Sequence, residues 1–334
     1  MTKRVAVVGC GLIAQRSHIP ALLRQPRVRL TVLCDQSRDR ADALRRELGV
    51  ACDVVASVED IAGRADAAII ATPNASHADL AKRLLRQGID VLCEKPLALS
   101  VGEGEEVVAV ADEAGRVLSV GFVHRFHETT RLLRSIIDDG LIGAVQRYDL
   151  QLGVKFEWAA VSQFYFNREL AGGGVLISEG VHWLDRLVHW FGPARVTRAL
   201  DNNQGGIETD MELDLSHGAG VHGTARFSWL YELRNTLRVI GTDGYAVVAK
   251  DDRSSVAVHR YDRPAFRWDV KLAASVERPP QGYFDLQLED FLDATDGRRS
   301  PVASGRDALG SVDIIEQAYG IAQPQCHSWA VVAP

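Results

Sequence analysis

Little in this sequence supports a disulfide-stapled, membrane-spanning or nucleic-acid-binding protein. Its 334 residues hold five cysteines, Cys10, Cys34, Cys52, Cys93 and Cys326. The count is odd and no CxxC spacing occurs, which argues against a disulfide framework or a zinc knuckle. Most of the five lie in apolar surroundings and read as small buried hydrophobes. No apolar run reaches the roughly 18 residues of a membrane helix. Met1-Thr2-Lys3-Arg4 leads directly into a strand-like run, without the apolar stretch and cleavage site of a signal peptide. A cytoplasmic protein is therefore expected. The net charge is −6, so the broad basic surface that nucleic acids select is missing. What is present is ordinary for a globular chain, 46% hydrophobic and 25% charged, with a length that suits two domains.

The first 120 or so residues alternate short β-branched runs with longer helical patterns. Strands read at Arg4–Val8, Leu30–Cys34, Ala67–Ala71, Asp90–Cys93 and Val117–Val120. Helices read at Ile19–Arg24, Arg40–Leu48, Ser76–Gln87 and Gly102–Ala114. That alternation, with strands apolar throughout, predicts an α/β domain over 1–122, a Rossmann-type doubly wound parallel sheet. Pro20 interrupts the first helical pattern and predicts a kink or a restart.

After Phe122 the period changes. A helix at Thr129–Asp138 precedes alternating segments at Val145–Lys155, Arg195–Ala199, Met211–Leu215, Val221–Leu230, Thr236–Gly241 and Tyr245–Ala249. Period-two alternation predicts a large open, mostly antiparallel sheet in an α+β domain over 123–334. One helix near Gly174–Phe191 interrupts it, and helices at Phe284–Thr295 and Ala308–Ile321 close the chain, free to pack back on the first domain. A broad apolar face on the open sheet would mark an interface, so a homodimer or homotetramer is expected.

Gly9-Cys10-Gly11-Leu12-Ile13-Ala14 follows a strand, opens a helix and matches G-x-G-x-x-G/A. The first glycine permits the tight turn, the second lets backbone approach a pyrophosphate, and the small last residue lets helix and strand pack closely. Free N–H groups at the helix start favour the phosphate charge. Asp35 ends the next strand about 20 residues later, the spacing of an acid that binds the ribose hydroxyls. Its carboxylate favours NAD. Ser37 and Arg38 stand just beyond and offer partners for a 2′-phosphate, which keeps NADP open.

Three further segments carry a resemblance. They are Ala71-Thr72-Pro73-Asn74 with His77, then Val91-Leu92-Cys93-Glu94-Lys95-Pro96-Leu97, and then Gly172-Gly173-Gly174 through Gly180, His182 and Asp185. With the glycine loop they resemble the Gfo/Idh/MocA family, the glucose–fructose oxidoreductase and inositol dehydrogenase relatives. The resemblance spans essentially the whole chain. It implies a Rossmann domain followed by an α/β domain with an open sheet, and hydride transfer between a nicotinamide and a secondary alcohol of a sugar or cyclitol. It implies that Thr72, Pro73, Asn74, His77 and Glu94 line the cofactor, that Lys95 orients nicotinamide ribose and substrate, and that His182 handles the hydroxyl proton. Arg125, Tyr165, Ser178 and Asp185 fall where substrate contacts are expected. One departure stands out, because Ser178 occupies the position where the family carries an acid four residues before the histidine. Phe164-Tyr165 likewise replaces an aromatic–Arg pair.

The residue types suit the chemistry. An imidazole titrates near working pH and serves as a base for a carbinol proton, while the cofactor carries the hydride. His182, Asp185 and His189 share a helix face, but no HExxH signature accompanies them and no metal is expected. Two rival functions compete: an NAD-dependent glycosidase or lyase with no net redox change, and a cofactor-binding sensor without catalysis. No nucleic-acid or membrane partner is expected.

Overall fold

A computed structural model of the chain describes residues 2–156, 163–203, 205–218, 220–273 and 278–325, apart from the side chains of Gln163 and Tyr165. The chain forms two compact units, Met1–His127 with Val276–Val312, and Glu128–Ser275 with Asp313–Pro334.

The first unit holds six strands, β1 (Lys3–Val8), β2 (Val28–Cys34), β3 (Asp53–Val55), β4 (Ala67–Ile70), β5 (Asp90–Cys93) and β6 (Leu118–Val120). All pair in parallel in the order β3-β2-β1-β4-β5-β6. Val5–Val8, Ala67–Ile70 and Val91–Cys93 are buried on both sides, as strands covered on both faces must be. The edge strand β3 escaped the sequence reading because three residues beginning with an aspartate show no period. The strand order reverses between β1 and β4, which opens a crevice at their carboxyl ends where this topology takes ligands.

Pro20 does force a restart. Ala14–His18 winds as a π turn, with Ile19 N–H donating to Ala14 O, and a regular helix Ile19–Arg24 follows. In a regular α-turn the Pro20 ring would press on the carbonyl four residues back; the wider turn relieves that crowding.

The sequence boundary at 122 moves to His127, and residues 276–312 return to the first unit. The helix Pro280–Thr295 explains the return, since its Leu288, Phe291 and Leu292 join the core of Val5, Val7, Leu30, Ile69 and Leu92. Each such buried side chain stabilises by about 1.5–3 kcal/mol.

The second unit is built on nine strands among the described residues. They are β7 (Val145–Gly153), β8 (Ala194–Asp201), β9 (Asp210–His217), β10 (His222–Ser228), β11 (Thr236–Gly241), β12 (Gly244–Ala249), β13 (Ser255–Arg260), β14 (Arg267–Lys271) and β15 (Gln323–Pro324). Their order is β14-β13-β12-β11-β7-β10-β9-β8-β15. The sheet is mostly antiparallel, with parallel pairs at β7/β10 and β8/β15. Strands β13 and β14 were not anticipated; β14 alternates exposed and half-buried residues without an apolar stripe.

One face of this sheet, with Tyr148, Leu150, Leu213, Leu215, Phe227 and Val239, is covered by the helix Val181–Phe191, whose Phe191 stacks on Tyr148 at 5.3 Å. The opposite face is not the broad apolar surface expected. Over β8 and β9 it carries an ion cluster, Arg198 with Asp214 (2.6 Å) and Glu212. Over β11 to β13 it carries a cation–aromatic stack, Arg238 at 3.7 Å over Tyr245, which stacks on His259. No helix among the described residues is long and apolar enough to cross a membrane.

Candidate active site

In the first unit the glycine turn, the Thr72 segment and the Glu94-Lys95 segment leave the carboxyl ends of the neighbouring strands β1, β4 and β5. Gly9 has φ +92°, and a Cβ there would lie 2.5 Å from Ala71 O, so only glycine serves. A Cβ on Gly11 would meet nothing within 4 Å. Ala14 is fully buried, whereas Leu12 and Ile13 are 37% and 38% exposed. The turn therefore presents an open backbone and two uncovered apolar side chains, a cradle that fits a dinucleotide.

Asp35 is buried and straps this turn to β2. Its Oδ2 accepts Cys10 N–H (2.9 Å) and its Oδ1 accepts Ser37 N–H (2.8 Å). Ser37 caps the following helix, its Oγ accepting Arg40 N–H at 3.3 Å. Arg38 is exposed. It is Arg40, not singled out in the sequence, whose guanidinium reaches Asp35, at 3.4 Å.

The Thr72 and Lys95 loops are tied together from beneath. The Ser76 hydroxyl lies 2.7 Å from both Thr72 Oγ1 and Pro73 O, and Asn74 opens the short helix Asn74–Ser76. His77 is buried, with Nδ1 2.7 Å from Pro96 O and Nε2 2.9 Å from Thr72 O. Burial pushes its pKa down against both contacts. A neutral ring has one N–H, so it donates to one carbonyl at a time. His77, expected at the cofactor, thus lies buried between two backbone carbonyls and bonds the loops to each other. The Lys95–Pro96 peptide is cis. Glu94, also expected at the cofactor, has Oε1 2.7 Å from His18 Nε2 and accepts Lys95 N–H on Oε2 at 3.2 Å.

In the second unit a π turn, Leu176–Gly180, leads into the helix that carries His182. The glycine run before it is a packing contact. A Cβ on Gly174 would lie 1.8 Å from Glu208 O, and one on Gly173 2.0 Å from Tyr319 Oη. The buried Glu208 carboxylate accepts Gly174 N–H (2.8 Å), Leu176 N–H (3.0 Å) and the Tyr319 hydroxyl (2.9 Å). Burial raises its pKa, and those donors offset part of the rise. Glu208 and Tyr319 escaped the sequence reading because neither belongs to a motif.

Ser178, Glu179 and His182 are all half-buried. Glu179 stands three residues before His182, so the two lie on neighbouring faces of a turn, and its carboxylate pairs with Lys250 Nζ at 3.4 Å. Asp185 is only 1% exposed. On the buried side of the helix Arg186 lies between Trp183 and Trp190, at 4.2 and 4.7 Å from their ring centres.

Against this geometry the comparisons are direct. Residues 3–122 match the oxidoreductase family with an NAD-binding Rossmann fold, and residues 130–247 match the GFO/IDH/MocA C-terminal domain. The chain belongs to the Gfo/Idh/MocA oxidoreductase family. It is 26% identical to a dTDP-3,4-didehydro-2,6-dideoxy-alpha-D-glucose 3-reductase of Streptomyces antibioticus, over 96% of this chain and 97% of that protein. It is 31% identical to a D-glucoside 3-dehydrogenase of Escherichia coli over 57% of this chain, and there it spans only 54% of that protein. The fold is shared with a 3-ketoreductase from Actinomadura kijaniata solved with NADP and TDP-benzene, with a TM-score of 0.83, 22% identity and coverage of 97% and 99%.

As a Gfo/Idh/MocA oxidoreductase the chain uses NAD or NADP. Two further sequence expectations concern Arg125 and Tyr165. Arg125 is buried and donates from Nη1 to Val302 O at 2.8 Å. The Tyr165 side chain lies outside the described residues. Among the described residues, no three His, Cys, Asp or Glu side chains gather as metal ligands, and His182, Asp185 and His189 do not form such a group.

Proposed function

We propose that this oxidoreductase interconverts a secondary alcohol and a ketone on a sugar, sugar derivative or cyclitol, with Lys95 and His182 as the groups that handle the substrate oxygen. The observation that carries this reading is the alignment of the glycine turn, the Thr72 loop and Lys95 along the carboxyl ends of three adjacent strands, at the point where the strand order reverses. The named relatives that reduce or oxidise sugars at carbon 3 support it. When bound, the nicotinamide supplies the hydride acceptor or donor.

The chain's own residues do the rest. Gly11 admits backbone to the pyrophosphate, and Asp35 binds the ribose hydroxyls and favours NAD. The Lys95 ammonium hydrogen-bonds the substrate oxygen and stabilises negative charge on it in the transition state. The His182 imidazole takes the hydroxyl proton during oxidation and returns it during reduction. Ser178 supplies a hydroxyl on the His182 face, and the half-buried carboxylate three residues before that histidine is Glu179.

A panel of sugars, sugar nucleotides and cyclitols, assayed with both cofactors by nicotinamide absorbance, tests the reading. A turned-over substrate is expected, and its rate should fall by about 10²- to 10⁴-fold in His182→Ala. Lys95→Ala should fall at least as far. Product formed without net change in absorbance would overturn net redox chemistry, and wild-type rates in both variants would remove the assigned roles.

A further inference from the structure

His18 is a buried histidine that the chemistry above leaves unused. It closes the π turn of the cofactor-loop helix and is 3% exposed. Its Nε2 lies 2.7 Å from Glu94 Oε1. Phe284 meets its ring edge-on at 5.3 Å, which restricts rotation on that side. Glu94 is the residue immediately before Lys95 and accepts the Lys95 N–H on its other oxygen. Burial alone would raise the Glu94 carboxyl's pKa; the hydrogen bond and charge of His18, together with the charge of Lys95, outweigh it and hold the group ionised. One unbroken chain of contacts thus runs from the glycine-loop helix through an imidazole and a carboxylate to the backbone of the lysine.

We propose that His18 is a positioning residue for Lys95: by anchoring the Glu94 carboxylate it fixes both the loop that carries the lysine and the anion that precedes it in the chain. The inference rests on reading Lys95 as the amine at the substrate oxygen. Its logic is electrostatic as well as steric. A fixed neighbouring carboxylate favours the charged ammonium, and a carboxylate that loses its buried donor moves or takes up a proton. Either change leaves the amine less often protonated and more nucleophilic.

Lys95 itself reports the outcome, without substrate or nucleotide. The full-length protein is pulsed with acetic anhydride at fixed pH, and labelling of Lys95 is compared by peptide mass mapping with that of Lys82, which pairs with Glu106 at 2.7 Å. Glu94→Gln removes the anion while keeping the shape, and His18→Leu removes the anchor; both should raise the Lys95-to-Lys82 ratio by about threefold or more. His18→Gln keeps an N–H donor and should stay within about twofold of the wild type. A merely structural histidine would lower the melting temperature and leave the ratio alone. An unchanged ratio in Glu94→Gln overturns the proposal even if His18→Leu fails to fold, and so does a His18→Gln ratio as high as that of His18→Leu. Failure of the sugar screen with the labelling pattern intact would instead remove the reading of Lys95 as a substrate group.

Discussion

Each unit of this protein sends a glycine-rich turn into a π turn and then into a helix, yet the two glycine turns do opposite work. At Gly11 the backbone is bare on the outside, with nothing within 4 Å of a Cβ there. At Gly172–Gly174 the backbone is pressed from within, by Glu208 O at 1.8 Å from a Cβ on Gly174 and by the Tyr319 hydroxyl beside Gly173. Gly11 leaves space open to the dinucleotide proposed above, whereas Gly9 is glycine because Ala71 O lies 2.5 Å from where its Cβ would stand. The second turn lacks side chains so that the protein itself can approach. Glycine in a motif therefore does not by itself mark a ligand contact; the neighbour that occupies the missing Cβ's space decides.

The comparison breaks most sharply at Gly174. Gly174→Ala should destabilise the second unit by about 3 kcal/mol or more, because backbone rather than a flexible side chain must move; urea unfolding measures it. Glu208→Gln comes next. An amide in place of the carboxylate turns one NH2 toward a backbone N–H, and about 1–3 kcal/mol is expected in the same assay. Gly11→Ala should behave differently. Its melting temperature should match the wild type, while NADH titration by fluorescence shows affinity about tenfold weaker, or about 1.4 kcal/mol. If Gly11→Ala lost as much stability as Gly174→Ala, the distinction between the two turns would fail.

The smallest effect is a pH dependence at His77. Burial holds its folded pKa below the ordinary 6.5, so on acidification the unfolded chain binds the proton first. Its contribution to stability is complete above 6.5 and is lost as the pH falls toward the folded value. Urea midpoints measured at about pH 8 and about pH 5 should show a shallower slope for His77→Gln than for the wild type.

Much of this was legible from residue order. The GxGxxA turn, Asp35 and the strand–helix alternation specify a dinucleotide cradle because each depends on neighbours close along the chain. Pro20 marked the restart of its helix for the same local reason. The misses share one cause. His18 lies 76 residues from Glu94 and Glu208 lies 34 from Gly174, and no periodicity links such pairs. Arg125 falls where the resemblance places a substrate contact, and only packing showed its guanidinium donating to Val302 O.

By itself the sequence determined the two sheet types, the cofactor turn and the residue types available for proton handling, since period, turn chemistry and local spacing act over a few residues. The tertiary structure alone decided which glycines stay open and which face the core, which carbonyls and carboxylates clamp His77 and His18, and that a C-terminal helix completes the first core. Those outcomes depend on burial and on partners distant in the chain, and close packing settles them only when the whole unit has folded.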